Sequence, residues 1–210
     1  METPTDRRPL KSRSLGWVQA LARLIVRAKI MPNAISGAGV VFAALAALLL
    51  IAGTRMGVPS WLGLVIAALC VQARLMCNLL DGMVAVEGGL KSKGGDLFNE
   101  IPDRIEDSLF LIGAGYCCGN PTTGWACALL AVTTAYLRAF GASLGHGQDF
   151  IGPGAKPQRM FILTVALVAQ AVAIVANQSW NILAWALWLI VGLTAITAIL
   201  RTGRLYRKSS

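Results

Sequence analysis

The residues with the most chemistry to offer are acidic, and they are crowded. Of ten aspartates and glutamates in the chain, Asp81, Glu87, Asp96, Glu100, Asp103, Glu106 and Asp107 all fall between positions 81 and 107. Asn99, Asp103 and Asp107 follow one another at intervals of four, which places them on one face of a helix. Asn78 and Asp81, three apart, share a face in the segment before. Acid groups at helix starts are commonplace because they favour the N-terminal dipole, and that accounts for Asp96 and Glu100. It does not account for Asp103 and Asp107, a turn or more inside a helix whose later residues are apolar. Carboxylates at membrane depth are costly and mark a functional site. An all-oxygen donor set of this kind suits Mg²⁺ or Mn²⁺.

The rest of the chain is built to hold that cluster in a bilayer. Hydrophobic residues make up 56% of its 210 residues and charged ones 14%, where a soluble domain carries about 25% charged. The apolar residues fall in runs near the roughly 20 needed for a spanning helix. The expected fold class is an all-α integral membrane protein of six transmembrane helices, preceded by an N-terminal interfacial amphipathic helix. Residues 1–13 are expected as a disordered basic tail, 14–30 as the amphipathic helix, 31–200 as the six-helix domain and 201–210 as a basic cytoplasmic tail. In the amphipathic segment Trp17, Val18, Leu21, Leu24, Ile25 and Ala28 fall on one face, with Gln19, Arg23 and Arg27 opposite; basic helices of this kind lie in the headgroup layer. Spans are expected at 35–53, 61–82, 99–118, 125–144, 159–175 and 180–200. No short apolar run near the start ends in a cleavage site, so no signal peptide is expected.

Lys and Arg set the orientation. With six spans, the tails and the loops near Lys91 and Lys156 share one side with nearly all the cations, and the other side holds Arg55. Both termini are therefore expected in the cytoplasm of a multi-pass protein, in a bacterium at the inner membrane. Trp61, Trp125 and Trp180 each open a span from the other side, as an aromatic belt does. The net charge of +9 then reflects topology and affinity for anionic lipid. No nucleic acid is expected as a partner, because no soluble module is left to present a reading element. Cys70, Cys77, Cys117, Cys118 and Cys127 fit neither a zinc spacing nor a disulfide framework and read as small apolar residues. His146, the single histidine, cannot build a metal site alone.

Within residues 78–103 the order is Asn78-x2-Asp81-Gly82-x2-Ala85-x9-Gly95-x3-Asn99-x3-Asp103. This resembles the signature of the CDP-alcohol phosphatidyltransferases, D-x2-D-G-x2-A-R-x8-G-x3-D-x3-D, at every spacing. Three further segments resemble the family in the right order: Pro32-Asn33-Ala34-Ile35-Ser36 at the start of span one, Tyr136-Leu137-Arg138-Ala139 in span four, and Lys156-Pro157-Gln158-Arg159 before span five. The departures are Asn78 and Asn99, where the family has its first and third aspartates, and Val86, where it has arginine. Arg74, one turn before Asn78, is a candidate to take that arginine's place.

The resemblance implies six helices and a phosphotransferase of phospholipid synthesis. A CDP-linked lipid, usually CDP-diacylglycerol, and an alcohol acceptor would be the substrates, CMP the leaving group, and the bilayer the setting; a second copy of the chain is a further candidate partner. Mg²⁺ or Mn²⁺ would be the cofactor, with one ion held firmly and a second delivered by the substrate. Asp103 would be the general base and a metal ligand, with Asn78, Asp81 and Asn99 as ligand positions and Asp107 as an additional candidate. Asn33, Ala34, Ile35, Ser36, Gly82, Ala85, Ser92, Gly95, Arg138, Lys156 and Arg159 would line the nucleotide and substrate sites. For Arg138, a phosphate contact and an ion pair with the acidic cluster are both open. The competing reading is a catalytically weak or inactive relative that binds CDP-lipid or a membrane partner.

Overall fold

The computed structural model describes residues 15–89 and 95–209. Ser92 lies outside them, as does the basic tail 1–13, and the side chains of Glu87, Asp96, Phe98 and Asn99 are outside the described set as well. Seven helices account for nearly all of the described residues: α1 Gly16–Arg27, α2 Pro32–Ala52, α3 Ser60–Glu87, α4 Gly95–Cys117, α5 Pro121–Ser143, α6 Lys156–Val175 and α7 Ile182–Ser209.

Helix boundaries follow local chemistry. Pro32 and Pro121 stand at the first turns of α2 and α5, where a missing N–H costs nothing. The Asn120 side chain caps α5 by accepting from the Thr123 amide at 3.3 Å. Lys29 (φ 56°) and Asn177 (φ 55°) adopt left-handed backbone and stop α1 and α6.

Five helices, α2, α3, α5, α6 and α7, are long and apolar enough to cross a membrane. The sixth expected span, α4, has the length at 23 residues but not the composition. Asp96, Glu100, Asp103, Arg104, Glu106 and Asp107 occupy its first half. Only the stretch after Ser108 is continuously apolar. Pro102 sits inside α4, where it withdraws a backbone donor one residue before Asp103.

The bundle is held by small residues. Ala43, Ala46, Ala67, Ala68, Ala114, Ala128, Ala131, Ala166 and Ala171 are all buried, around Phe110, Leu111, Leu163, Leu167 and Leu187. Without a hydrophobic driving force between helices in lipid, close backbone approach is what supplies packing energy. At the α4–α5 contact a Cβ on Gly115 would stand 2.7 Å from the Gly124 Cα, so neither position tolerates a side chain. A second apolar cluster joins Val18 and Ala22 of α1 to Ile35 of α2 and to Leu79, Leu80, Met83 and Val84 of α3. It docks α1 beside the stretch of α3 that carries Asp81. The exposed residues of α1 are of both kinds, Trp17 and Leu24 as well as Arg23 and Arg27.

The last helix differs from the expected tail. α7 runs on without a break to Ser209. Arg201, placed by the sequence in a basic tail, is buried; its Nε donates to the Ile151 carbonyl at 3.0 Å and its Nη1 to the Thr134 carbonyl at 2.6 Å. The guanidinium finds partners on α5 and the α5–α6 connection, so the helix continues past the apolar run.

Candidate phosphate-transfer site

The acidic cluster forms where α3, α4 and α6 meet, at the end of the bundle that holds the start of α2. Its centre is Asp103, in the third turn of α4. Lys156, the first residue of α6, places Nζ 2.7 Å from Asp103 Oδ2. Arg74 of α3 donates from Nη2 to Asp103 Oδ1 at 3.1 Å. The Asn78 side-chain amide, one turn further along α3, also donates to Oδ1. Arg104 Nη2 stands 4.0 Å from Oδ2. Both carboxylate oxygens of Asp103 are thus engaged, and its side chain is 17% exposed.

Arg74 lies at the bottom of the cluster and is fully buried. Its Nε donates to Glu106, and its Nη2 also lies 2.9 Å from Asp107 Oδ1. One guanidinium therefore meets three carboxylates spaced along one face of α4. Its Nη1 has no hydrogen-bond partner among the described residues. Room for the Arg74–Glu106 pair comes from α2: a Cβ on Gly39 would lie 2.5 Å from Glu106 Oε1.

Asp107 is held from the other side by Arg159 of α6, whose Nη2 lies 3.3 Å from Oδ2. Arg159 Nη1 donates to the Gly154 carbonyl at 2.6 Å and contacts Thr134 Oγ1 at 3.4 Å. Both partners of this pair are 2% exposed. Isolated charges this deep would be untenable, and pairing with added hydrogen bonds is what makes them tolerable. Arg159 is committed to Asp107 and to backbone. In this arrangement it links α4, α5 and α6.

Asp81 is treated differently. It is buried, it accepts from Ser36 Oγ at 2.8 Å, and no cation among the described residues lies within ion-pair distance of it. The Ser36 hydroxyl belongs to the first turns of α2, so the Asn33–Ser36 segment is tied to the signature stretch of α3. Asn33 and Ala34 are exposed there, and Ile35 and Ser36 buried. Gly82 is half-buried, and a Cβ on it would meet nothing within 4 Å. Helix packing therefore gives no reason for glycine at that position. Ala85 is half-buried on the same helix, and Gly95 begins α4.

Arg138 of α5 makes an ion pair with the acidic cluster, one of the two contacts the sequence left open. Its Nη2 pairs with Glu100 Oε1 at 2.5 Å, and its guanidinium also lies over the Phe150 ring at 5.6 Å. Glu100 is shared with Arg104 at 2.5 Å. This outer pair is half-exposed, set apart from the inner network of Arg74, Lys156 and Arg159.

A divalent ion can be tested against these donors. Asp81, a buried carboxylate with no cation beside it, together with Asp103 makes the two-carboxylate minimum for one Mg²⁺ completed by water and phosphate oxygens. A clamp of two ions finds less. Among the described residues no three acidic, histidine or cysteine side chains converge as a metal-ligand group. Asn78 turns an N–H, not an oxygen, toward Asp103. Among the described residues the donor set fits one ion.

The residue that sequence reasoning left without a role is Glu106. It was visible as one acid among seven, but its partner Arg74 lies 32 residues away on another helix. The only local hint was a basic residue inside the apolar run of α3. A cavity of about 520 Å³, lined by Arg55, Tyr116 and Asn181 among others, opens at the opposite end of the bundle and takes no part in this cluster.

With that geometry in place, the comparison with solved structures is informative. Phosphatidylinositol phosphate synthase from Mycobacterium tuberculosis, in complex with manganese and citrate, superimposes with a TM-score of 0.73 over 90% of this chain and 88% of its own, at 22% identity. The chain has that synthase's fold. The same synthase with CDP-DAG bound gives a TM-score of 0.72 over 90% of this chain and 93% of its own, at 21% identity. Its apo form gives 0.70, over 89% and 95%, at 21%. No family model matches the chain, and no curated protein matches it. At these identities the likeness establishes the fold.

Proposed function

We propose that this protein is a phosphatidyltransferase of the cytoplasmic membrane face. It takes a phosphatidyl group from a CDP-linked lipid, CDP-diacylglycerol being the first candidate, and gives it to an alcohol. In this reading α4 is the sixth span and α1 lies in the headgroup layer. The observation that carries the proposal is the position of Asp103. It stands at the meeting point of three helices, a partly exposed carboxylate 2.7 Å from the Lys156 ammonium.

The reaction joins the acceptor oxygen to the lipid-side phosphorus and breaks that phosphorus's bond to the oxygen that leaves with CMP. The acceptor proton passes to Asp103, which must come within hydrogen-bond reach of the attacking hydroxyl. A divalent ion held by Asp81 and Asp103 would supply charge neutralisation on the diphosphate. Lys156, already at the rim of the cluster, transfers its contact from Asp103 to a phosphate oxygen when substrate arrives. That exchange frees a lone pair on the base and moves positive charge to where negative charge develops. Ser36 fixes the Asp81 carboxylate, and the N-terminal end of α2 favours the negative charge of the nucleotide phosphate, as helix N-termini do. Gly82 lets the nucleotide approach the α3 backbone.

A second reading is favoured by one specific observation. Both Asp103 oxygens are taken, one of them by the amide of Asn78 where the family has a carboxylate. A protein that binds CDP-lipid, or a membrane partner, without turning it over would have that site. Purified protein in mixed micelles with CDP-diacylglycerol, Mg²⁺ or Mn²⁺ and a panel of alcohols separates the two. CMP release with one acceptor supports the transferase. Retained lipid binding with no CMP release from any acceptor supports the binding reading.

A further inference from the structure

Among the described side chains, the charges around Asp103 balance one another. Among side chains described at the cluster, Asp81, Glu100, Asp103, Glu106 and Asp107 supply the negative charges. Arg74, Arg104, Arg138, Lys156 and Arg159 supply an equal number of positive ones. A site evolved to hold two divalent cations in a low-dielectric setting keeps an excess of carboxylate, because repulsion among the acids is relieved only when the ions bind. Here the excess is gone by two routes at once. Asn78 and Asn99 remove two carboxylates from the motif, and Arg74 adds a buried cation one turn before Asn78.

The guanidinium sits where a bridging ion would be wanted. It spans Asp103, Glu106 and Asp107, three carboxylates within about one turn on one face of α4. It is fully buried, so water does not screen it, and Gly39 on the facing helix leaves the space that the Arg74–Glu106 pair needs. Its unpartnered Nη1 is a buried donor inside the cluster. Arginine keeps its proton in any protein setting and presents a fixed fork of donors. It can therefore serve as a permanent cation where its relatives' chemistry would call for an exchangeable one.

We infer that Arg74 is a built-in replacement for one of two divalent cations, so that this protein binds at most one divalent ion per chain, at Asp81 and Asp103, with or without CDP-lipid. The inference rests on the phosphatidyltransferase reading for the identity of the lipid, but not for the ion count. Asn78 and Arg74 then form one functional unit. With arginine at 74, a carboxylate at 78 is unnecessary, and the amide instead donates to Asp103.

The test is a count of bound Mn²⁺ on purified full-length protein, from loss of the free-ion EPR signal, without lipid and with CDP-diacylglycerol in mixed micelles. One ion or fewer per chain under both conditions is expected; two ions per chain in either overturns the inference. The triple variant Arg74→Met, Asn78→Asp, Asn99→Asp is expected to bind two. A variant that retains the wild-type helical circular dichroism and thermal transition yet stays at one ion or fewer also overturns it. If the triple variant does not fold, the wild-type count decides. CDP-diacylglycerol that fails to bind at any metal concentration defeats the functional reading, and the lipid-free Mn²⁺ count still decides the role of Arg74.

Discussion

Lys156 Nζ and Asp103 Oδ2 are 2.7 Å apart, a contact between the first residue of α6 and the third turn of α4. It joins the cation best placed to meet a phosphate with the carboxylate best placed to accept a proton. Both side chains are partly exposed, at 21% and 17%, so either can be reached by substrate. A charge-assisted hydrogen bond contributes about 1.5–3 kcal/mol. Lys156→Met is therefore expected to raise the KM for CDP-lipid by roughly 10-fold or more, with Lys156→Arg recovering part of the loss. Steady-state CMP release at varied CDP-diacylglycerol checks this. An unchanged KM in Lys156→Met would show that the lysine only tethers α6.

The inner pair Asp107–Arg159 is structural. Removing one partner of a buried ion pair leaves a charge without compensation and costs about 3–5 kcal/mol. Arg159→Met alone is expected to lower the thermal transition sharply. Adding Asp107→Leu is expected to recover much of the loss, since an apolar pair of similar volume is tolerated. Melting in detergent of the two single variants and the double variant measures this. Equal, additive losses would mean that the two residues do not act as a pair.

Gly39 gives a sharper packing test. A methyl group there would sit 2.5 Å from Glu106 Oε1, and overpacking of this kind costs roughly 1–3 kcal/mol. Gly39→Ala is expected to destabilise the protein by forcing Glu106 away from Arg74. Gly37→Ala, where a Cβ meets nothing within 4 Å, is the control and is expected to be neutral or slightly stabilising, as helix propensity predicts. If both variants melt alike, the notch at Gly39 does not matter.

Much of the fold was legible because bilayer physics writes it into composition. Apolar runs of the required length, the proline at 32 and the tryptophans near span starts locate α2, α3, α5 and α6 and the start of α7, but α7 runs well past its expected end. α4 was legible by length and spacing, but its charged first half departs from the composition of a simple span. The helical spacing of Asp103 and Asp107 did place them on one face, and both meet Arg74. What spacing could not supply was pairing between helices. Nothing local says that Arg74 reaches Glu106, that Arg159 is spent on Asp107, or that Arg201 is buried against α5. Arg159 and Arg201 have the same sequence signal as a solvated topological charge, and Arg74 stands out only by lying inside an apolar run. Only the packing of small residues, which brings the helix backbones together, decides which of them are drawn inside.

Topology is checked independently of chemistry. Reporter fusions after Ser210 are expected to read as cytoplasmic and fusions near Thr122 as external, since the cations gather at the end of the bundle that carries Asp103. The reverse pattern would put the cluster on the side of the membrane without cytidine nucleotides.

The central claim is that Asp103 accepts the acceptor alcohol's proton during phosphatidyl transfer. The most direct measurement is the rate of CMP release from CDP-diacylglycerol, with the best alcohol of the panel, for wild type and Asp103→Asn at matched folded protein. Removal of a positioned acid–base group lowers turnover by about 10²–10⁴-fold. The account predicts a loss in that range for Asp103→Asn, with CDP-lipid still bound. CMP release by Asp103→Asn at the wild-type rate would contradict it.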